Sequence, residues 1–496
     1  MPNLTEQQQL ALADVLSAGP KVRKLARLFA EAGESLYLVG GSVRDALMGR
    51  LGNDLDYTTS ARPDVIEALV RKVTKAVWDV GRAFGTIACR ITEADGREWL
   101  VEITTFRADS YVDHTRKPDV QFGDHLGGDL LRRDFTVNAM ALNTVDGALL
   151  DPFGGLGDLH TQVIRTPAAA ELSFSDDPLR MMRAARFTSQ LGFQPDDDVV
   201  TAMTQMAPRI GIVSAERVRD ELVKLLLTDN PRPGLNLLVD TGLADIVLPE
   251  LPALRMERDE HNRHKDVYEH SLTVLDQAIE LERARGHVPD IVNRLAALLH
   301  DIGKPRTRKF EPDGKVSFHH HDVVGAKLVR KRLQELHFSN DVVSAVSTLV
   351  ELHLRFHGYG EGQWTDSAVR RYVRDAGDQL ERLHILTRSD CTTRNLRKAT
   401  RLRQTYEELE WRIDELSKAE EMGAMRPDLD GTQIMGLLGI GAGPVVGEAY
   451  RFLLERRIEE GPLGEERAAA ELVAWWAARN DGSVLAEPDK SEGTDG

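Results

Sequence analysis

The sequence predicts an α+β chain, with a small mixed-sheet domain first and helices from there to the end. Three observations carry that prediction. Strand-like and helix-like segments alternate up to about residue 150. From about Ser175 onward, strand patterns give way to apolar residues at helical spacing, as in PLRMMRAARFTSQL and AERVRDELVKLLL. At 496 residues the chain exceeds one ordinary core, so roughly two to four domains are expected.

An amphipathic helix is expected over residues 4–32. ESLYLVGG then reads as a strand ending in a glycine turn, and SVRDALMG opens the next helix. NDLDYTT reads as a strand, PDVIEALVRKV as a helix, and TIACRIT and WLVEITTF as strands. This βαβαββ order suits a mixed sheet of about 150 residues. RADSYVDHTRKPDVQFGDHLGGD has no hydrophobic period and many turn formers, so it reads as a mobile loop. Breaks in the helical remainder fall at DNPRPG, EPDGK and HGYGEGQW, and there is no internal repeat. The final EPDKSEGTDG reads as a solvated, disordered tail.

Composition narrows the function classes. A hydrophobic content of 42% and a charged content of 29% describe a soluble globular protein. No apolar run approaches a membrane span, and the opening MPNLTEQQQLALADVLSAG lacks a basic and an apolar signal region. Two cysteines, Cys89 and Cys391, cannot build a disulfide framework and suit a reducing cytoplasm. The formal charge of −16 argues against indiscriminate coating of nucleic acid, but leaves room for a local basic cleft.

Chemistry concentrates first in LVGGSVRDALMGRLGNDLDY, Leu38 to Tyr57. Asp54 and Asp56 flank Leu55, so on a strand both carboxylates leave from one face. Two hard oxygen ligands there suit Mg²⁺ together with substrate phosphates, and Glu102 in WLVEITTF offers a third. Gly40 and Gly41 permit close backbone approach to a triphosphate, and Arg44 adds a charged fork. A lone D-x-D is usually a solvent-facing strand; the combination is what points to catalysis.

Further motifs follow in DLLRRDFTVNAMAL, DPFGGLGDL and SDDPLRMMRAARF. The series resembles the class II branch of the nucleotidyltransferase superfamily, which comprises the CCA-adding tRNA nucleotidyltransferases and bacterial poly(A) polymerases. The resemblance spans roughly residues 35–240, with the motifs in family order. It implies a catalytic head in which Asp54 and Asp56 carry Mg²⁺, and Gly41, Arg44 and Arg133 contact the nucleotide. It also implies that Asp177 and Arg180 read the base edge of CTP or ATP, with Arg183 and Arg186 completing an arginine row. Many relatives have Glu-Asp where this chain has Asp176-Asp177; the base-reading aspartate is kept. Physically, Asp177, Arg180, Arg183 and Arg186 recur every three residues and would form a drifting row along one side of a helix. Met181, Met182, Ala184, Ala185 and Phe187 would form its buried side. The alternative is a helix whose arginines merely face solvent. The implied reaction is attack of an RNA 3′-hydroxyl on the α-phosphate of a nucleoside triphosphate, with movement of the Tyr111–Asp129 loop letting one pocket accept C twice and then A.

A second cluster runs from VYEHSL (His270) through ALLHDIGKP (His300, Asp301), FHHHDVVGA (His321) and ELHLRFH (His353) to RSDC (Asp390). The adjacent His300-Asp301 followed by Gly-Lys-Pro resembles the signature of HD phosphohydrolase domains. Imidazole with carboxylate suits Mn²⁺, Ni²⁺, Co²⁺, Fe or Zn²⁺ better than Mg²⁺. The resemblance implies a metal site and a phosphohydrolase side activity on RNA ends. The expected architecture is a nucleotidyltransferase head (1–165), a helical neck (166–255), an HD-type body (256–400) and a helical tail (401–496), with tRNA, CTP and ATP as partners. A poly(A) polymerase or a partial CC- or A-adding enzyme shares the same motifs. From other classes, a nucleotide-sensing HD phosphohydrolase or a non-catalytic RNA-binding scaffold would need no intact Asp54, Asp56, Arg133, Asp177 and Arg180.

Overall fold

The computed structural model describes residues 4–50, 52–82, 85–110, 119–122, 125–255, 266–313, 316–358, 364–392, 395–420 and 426–481. It forms two compact units, residues 1–252 and 253–496. Among the described residues no helix is long and apolar enough to cross a membrane.

The first unit is built on strands β1 (Leu36–Val39), β2 (Asp54–Thr59), β3 (Val77–Gly81), β4 (Thr86–Thr92), β5 (Glu98–Thr105), β6 (Arg107–Ser110), β7 (Asp119–Phe122), β8 (Ala141–Asn143) and β9 (Leu149–Leu150). Seven of them make one sheet in the order β3-β4-β5-β2-β1-β8-β9. Neighbours in it are antiparallel except β2 and β5, which run parallel across a crossover that includes the helix Pro63–Val70. Pro63 opens that helix, where its missing N–H costs nothing.

Alternation along β2 and β5 decides what the sheet presents. Leu55, Tyr57, Trp99, Val101 and Ile103 are buried on one face. Asp54 and Asp56 leave from the other face and are exposed. Asp56 pairs in register with Glu102. Each such apolar side chain is worth about 1.5–3 kcal/mol when buried. A slip by one residue would turn these side chains out and drive the aspartates into the core.

The predicted strands and helices around this sheet are present, with three corrections. The single helix expected over 4–32 is two, Glu6–Leu16 and Pro20–Glu31. Glu93 lies so close to Gly19 that a Cβ there would sit 2.2 Å from its carboxylate, which accepts the N–H groups of Lys21 and Val22 at the second helix's start. The stretch read as a loop from Arg107 contains the antiparallel pair β6–β7 and the helix Leu126–Leu131; residues 111–118 and 123–124 lie outside the described residues. Strands also persist beyond Ser175, as a parallel pair of Val163–Ile164 with Gln194–Pro195 and an antiparallel pair of Lys309–Phe310 with Val316–Ser317. The acidic tail from residue 482 onward lies outside the described residues.

Behind the sheet domain, the helix Leu179–Leu191 packs on Ala215–Leu226 and Arg232–Asp240. Gly234, in the DNPRPG break, lets the backbones meet: a Cβ there would lie 2.2 Å from the Ala185 carbonyl oxygen. In the second unit, the helices Val267–Ala284 and Ile291–Leu299 are cross-linked by a buried ion pair, Arg294 Nε to Glu282 at 3.0 Å, with Asn293 donating to the same carboxylate. Its last three helices, Gly431–Leu438, Pro444–Glu460 and Glu465–Asp481, enclose a small core of Ile434, Ala449, Leu453, Ala468 and Leu472.

Candidate active site and metal centre

β1 ends at Val39, and the chain turns through Gly40 at φ 67°, ψ −137°, a conformation that only glycine adopts without strain. A Cβ on Gly40 would lie 3.1 Å from Arg133 Nη1 and 3.8 Å from Asp56 Oδ2, so its absence keeps the space between base and acid open. Gly41 begins the helix Gly41–Leu47, and the next residue locks that helix to β2. The Ser42 hydroxyl donates to the Asp54 carbonyl at 3.1 Å and accepts the Asp56 N–H at 2.9 Å. This one side chain fixes the backbone on both sides of Leu55, and no sequence motif had singled it out.

A cavity of about 230 Å³ opens here, lined by Gly40, Gly41, Arg44, Asp56, Arg133, Asp134, Asn138, Arg183, Arg186 and Phe187. Four guanidiniums line it beside two carboxylates, and their planar forks match phosphate oxygens. Each arginine is held by a carboxylate partner, and for Arg183 that partner, Asp134, itself lines the cavity. Arg44 makes two bonds to Asp45 at 2.8 Å and one to Asn138 at 2.6 Å. Arg133 donates to Asp129 at 3.1 Å. Arg183 Nε donates to Asp134 at 2.8 Å, and Arg186 Nε donates to Glu221 at 2.7 Å. Three of these guanidiniums surround the Phe187 ring, at 5.2 Å (Arg44), 5.5 Å (Arg183) and 4.2 Å (Arg186) from its centroid.

The acids respond to this field differently. Burial pushes the Asp134 carboxyl up, but Arg183 and the hydrogen bonds from Asn138 and the Phe135 N–H outweigh it and hold it at about 2. Asp56 is raised, first because surrounding protein desolvates it and then by repulsion from Asp54, with Arg133 and Arg44 opposing. Its side chain still opens to solvent on the cleft side. Glu102 is raised by desolvation and by the charges of Asp56 and Asp54. Asp54, Asp56 and Glu102 share one face of β2 and β5, but among the described residues their carboxylate oxygens do not gather within 4.8 Å of one another as those of the His–Asp sets do.

Asp177 and Arg180, expected to read the base edge, sit apart from that lining. Asp177 precedes the helix rather than lying on it, at φ −142°, ψ 100°, because Pro178 disfavours helical backbone in the residue before it. Its carboxylate accepts the Leu179 N–H at 3.1 Å and Arg217 Nη2 at 2.8 Å. Arg180 donates to the Ser173 hydroxyl at 2.8 Å and to the Arg132 carbonyl. The expected buried residues Met181, Met182, Ala184, Ala185 and Phe187 are buried, and so is Arg186 at 9% exposure, so this helix is no solvated arginine face.

In the second unit all six predicted residues of the other cluster converge. His270 Nε2 lies 2.9 Å from Asp390 and 3.6 Å from Asp301. His300 Nε2 lies 3.3 Å from Asp301 and 3.6 Å from Asp390, and His321 Nε2 lies 3.3 Å from Asp301. The His353 ring centroid is 5.3 Å from those of both His300 and His321. They form two sets, His270–His300–Asp390 and Asp301–His321–His353, each with ligand atoms within 4.8 Å of one another. Backbone carbonyls of Ala297, Phe318 and Val350 face the Nδ1 atoms of His300, His321 and His353 at 2.9, 2.8 and 2.6 Å. A carbonyl only accepts, so these bonds place the proton on Nδ1 and turn each Nε2 lone pair inward. Those three Nε2 atoms are buried and without a hydrogen-bond partner. The charges agree on what the cluster lacks. Burial opposes a further proton on His300, yet Asp301 and Asp390 overcome it and raise the group to about 10, so without a cation its Nε2 also carries a proton that a metal would displace. His353 is pushed down to about 4 by burial and by His300. A buried set of inward lone pairs and carboxylates fits a transition-metal cation.

Models of known families match three stretches of the chain: the poly A polymerase head domain over residues 36–165, the probable RNA and SrmB-binding site of polymerase A over 192–254, and the HD domain over 267–395. Over 452 residues the chain is 34% identical to an A-adding tRNA nucleotidyltransferase of Deinococcus radiodurans, covering 90% of this chain and 96% of that one. The chain belongs to the tRNA nucleotidyltransferase family. A CC-adding tRNA nucleotidyltransferase of Thermus thermophilus is 32% identical over 459 residues, 91% of this chain and 96% of the relative. The crystal structure of the Bacillus stearothermophilus CCA-adding enzyme in complex with CTP superimposes with a TM-score of 0.68 at 26% identity, covering 93% of this chain and 99% of that one. The mixed-sheet head with a helical remainder is the fold of this family.

Asp134 yields a pH test of the arginine scaffold. Its folded carboxyl lies near 2 against an ordinary value of 3.8, so its stabilisation is complete above about pH 4 and is lost as pH falls toward 2. Asp134→Asn is expected to lose about 2–3 kcal/mol at pH 7 and almost nothing relative to wild type near pH 2, read from urea unfolding at both pH values. Equal losses at both would show that the ion pair with Arg183 contributes nothing.

Proposed function

We propose that the chain adds C, C and A to the 3′ end of tRNA from CTP and ATP without a nucleic-acid template, releasing pyrophosphate. The observation that carries this reading is the cavity that sets Asp56 of β2 opposite four braced guanidiniums. We read the chain as a catalytic head (1–165), a neck holding the base-reading helix (166–255), an HD body (256–400) and a tail (401–496), working in the cytoplasm.

Asp54 and Asp56, with Glu102 beside them, would hold Mg²⁺, which when bound activates the RNA hydroxyl and stabilises the leaving oxygens. Arg44, Arg133, Arg183 and Arg186 bind and align the triphosphate, and their fixed partners mean little reorganisation as charge shifts toward pyrophosphate. The 3′-oxygen forms its bond to the α-phosphorus as the bond to the β-phosphate oxygen breaks. The hydroxyl proton passes to solvent, since no side chain here is needed as a base. Asp177 accepts and Arg180 donates at the base edge, with Arg217 holding Asp177 in place. In the HD body, His270, His300, Asp301, His321, His353 and Asp390 would hold a transition metal (Mn²⁺, Ni²⁺, Co²⁺, Fe or Zn²⁺), and phosphohydrolysis of RNA ends is the side activity such a metal would supply there.

A second reading has a specific observation behind it. The two relatives aligned over nine-tenths of the chain are named as an A-adding and a CC-adding enzyme, so this chain could perform part of the CCA addition. Incubating tRNAs ending before CCA and after CC with CTP alone, ATP alone and both decides between them. Full CCA on the first substrate supports the main reading; extension by CTP only, or of the CC end by ATP only, supports partial addition; long A tails would contradict both. Asp54→Asn is expected to slow whichever addition occurs by on the order of 10³-fold. For the HD body, metal analysis after loading with Mn²⁺ or Ni²⁺ should find bound metal in wild type and a severalfold loss in His300→Asn; equal metal content in both contradicts the ligand set.

A further inference from the structure

The segment between Asp301 and His321 opens on a locally basic run. Lys304–Phe310, KPRTRKF, holds four cations and no acid in a protein of formal charge −16. It leads into the short hairpin in which Lys309 pairs with Ser317 and Phe310 with Val316. Phe310 stands 66% exposed, with the Arg308 guanidinium 4.8 Å from its ring centroid. Arg306 and Lys309 are exposed beside it. Glu311 approaches Lys309 only at 3.9 Å.

Both ends of this hairpin are pinned to the His–Asp cluster. Lys304 Nζ lies 2.6 Å from Asp301 Oδ2 and 5.7 Å from the Phe318 ring centroid. Gly303 packs so tightly on His321 that a Cβ would lie 2.0 Å from its carbonyl oxygen. An exposed aromatic ring that carries a guanidinium and stands among cations, tethered to a metal-ligand set, is poorly suited to an apolar protein surface. It suits a planar base on a polyanionic strand.

We propose that this hairpin is a stacking platform for the terminal base of a single-stranded RNA 3′ end, presenting the terminal phosphate to the His–Asp cluster; the proposal rests on the phosphohydrolase reading above. Phe310 supplies the stacking face, which tolerates any base, while Arg306, Arg308 and Lys309 follow the phosphates.

The test uses the full-length chain and a short oligoribonucleotide ending in 2-aminopurine with a 3′-phosphate. Wild type should bind it with quenching of the 2-aminopurine fluorescence. Phe310→Ala should weaken binding roughly 5- to 100-fold and lose the quench, and Phe310→Trp should keep both. An oligonucleotide with an abasic 3′ terminus should bind wild type and Phe310→Ala alike. Phe310→Ala within twofold of wild type on the intact oligonucleotide overturns the proposal, as does absence of wild-type binding. Phosphate release from the same oligonucleotide in Mn²⁺ is followed separately. If none is released but the Phe310 dependence of binding holds, the phosphohydrolase reading fails and the platform stands as an RNA-binding surface.

Discussion

The parallel pairing of β2 with β5 is the constraint on which the rest of the head depends. It sets Asp56 against Glu102 and Leu55 against Val101, so one register decides both what the core buries and which acids share a face. Burial of Leu55, Val101 and Ile103 resists a slip, and the carboxylates inherit that resistance. Ser42 adds a local clamp by bonding the backbone of Asp54 and Asp56. The strain of crowding like charges on adjacent strands is thus held by a well-packed sheet. The proposed cation site rests on that crowding of like charges.

The arginines follow the opposite logic. Each is paired with a carboxylate: Arg44 with Asp45, Arg183 with Asp134 and Arg186 with Glu221. Partners of this kind reduce the penalty of burying a guanidinium and fix its direction, at the cost of some net positive charge. Phe187, ringed by three of them, fills the floor with a face that cations favour. The second unit shows the same division of labour. Backbone carbonyls orient His300, His321 and His353 from behind, and the carboxylates of Asp301 and Asp390 converge from the front.

Legibility in the sequence tracked the range of each interaction. Asp54 and Asp56 could be read because a strand repeats every two residues, and the six HD residues because the adjacent His300-Asp301 resembles a known signature, although only His270 and His321 lie on helices and the others just past helix ends. Ser42, Asn138, Asp134 and Glu221 could not, since their partners lie up to 94 residues away and only the fold brings them together. Some misses did carry a local signal. Gly19-Pro20 was a helix break within residues 4–32, and Pro178 marked Asp177 as non-helical. The β6–β7 pair was hidden by turn-forming residues that do not exclude a short ribbon.

The claim at the centre is that Glu102, though on a different strand, shares a cation with Asp54 and Asp56. The most direct measurement is the Mg²⁺ dependence of terminal nucleotide addition to a truncated tRNA by wild type and by Glu102→Gln. The account predicts that the variant needs severalfold more Mg²⁺ for half-maximal rate, because one oxygen donor to the cation is gone. An unchanged Mg²⁺ dependence, at an unchanged rate, would contradict it.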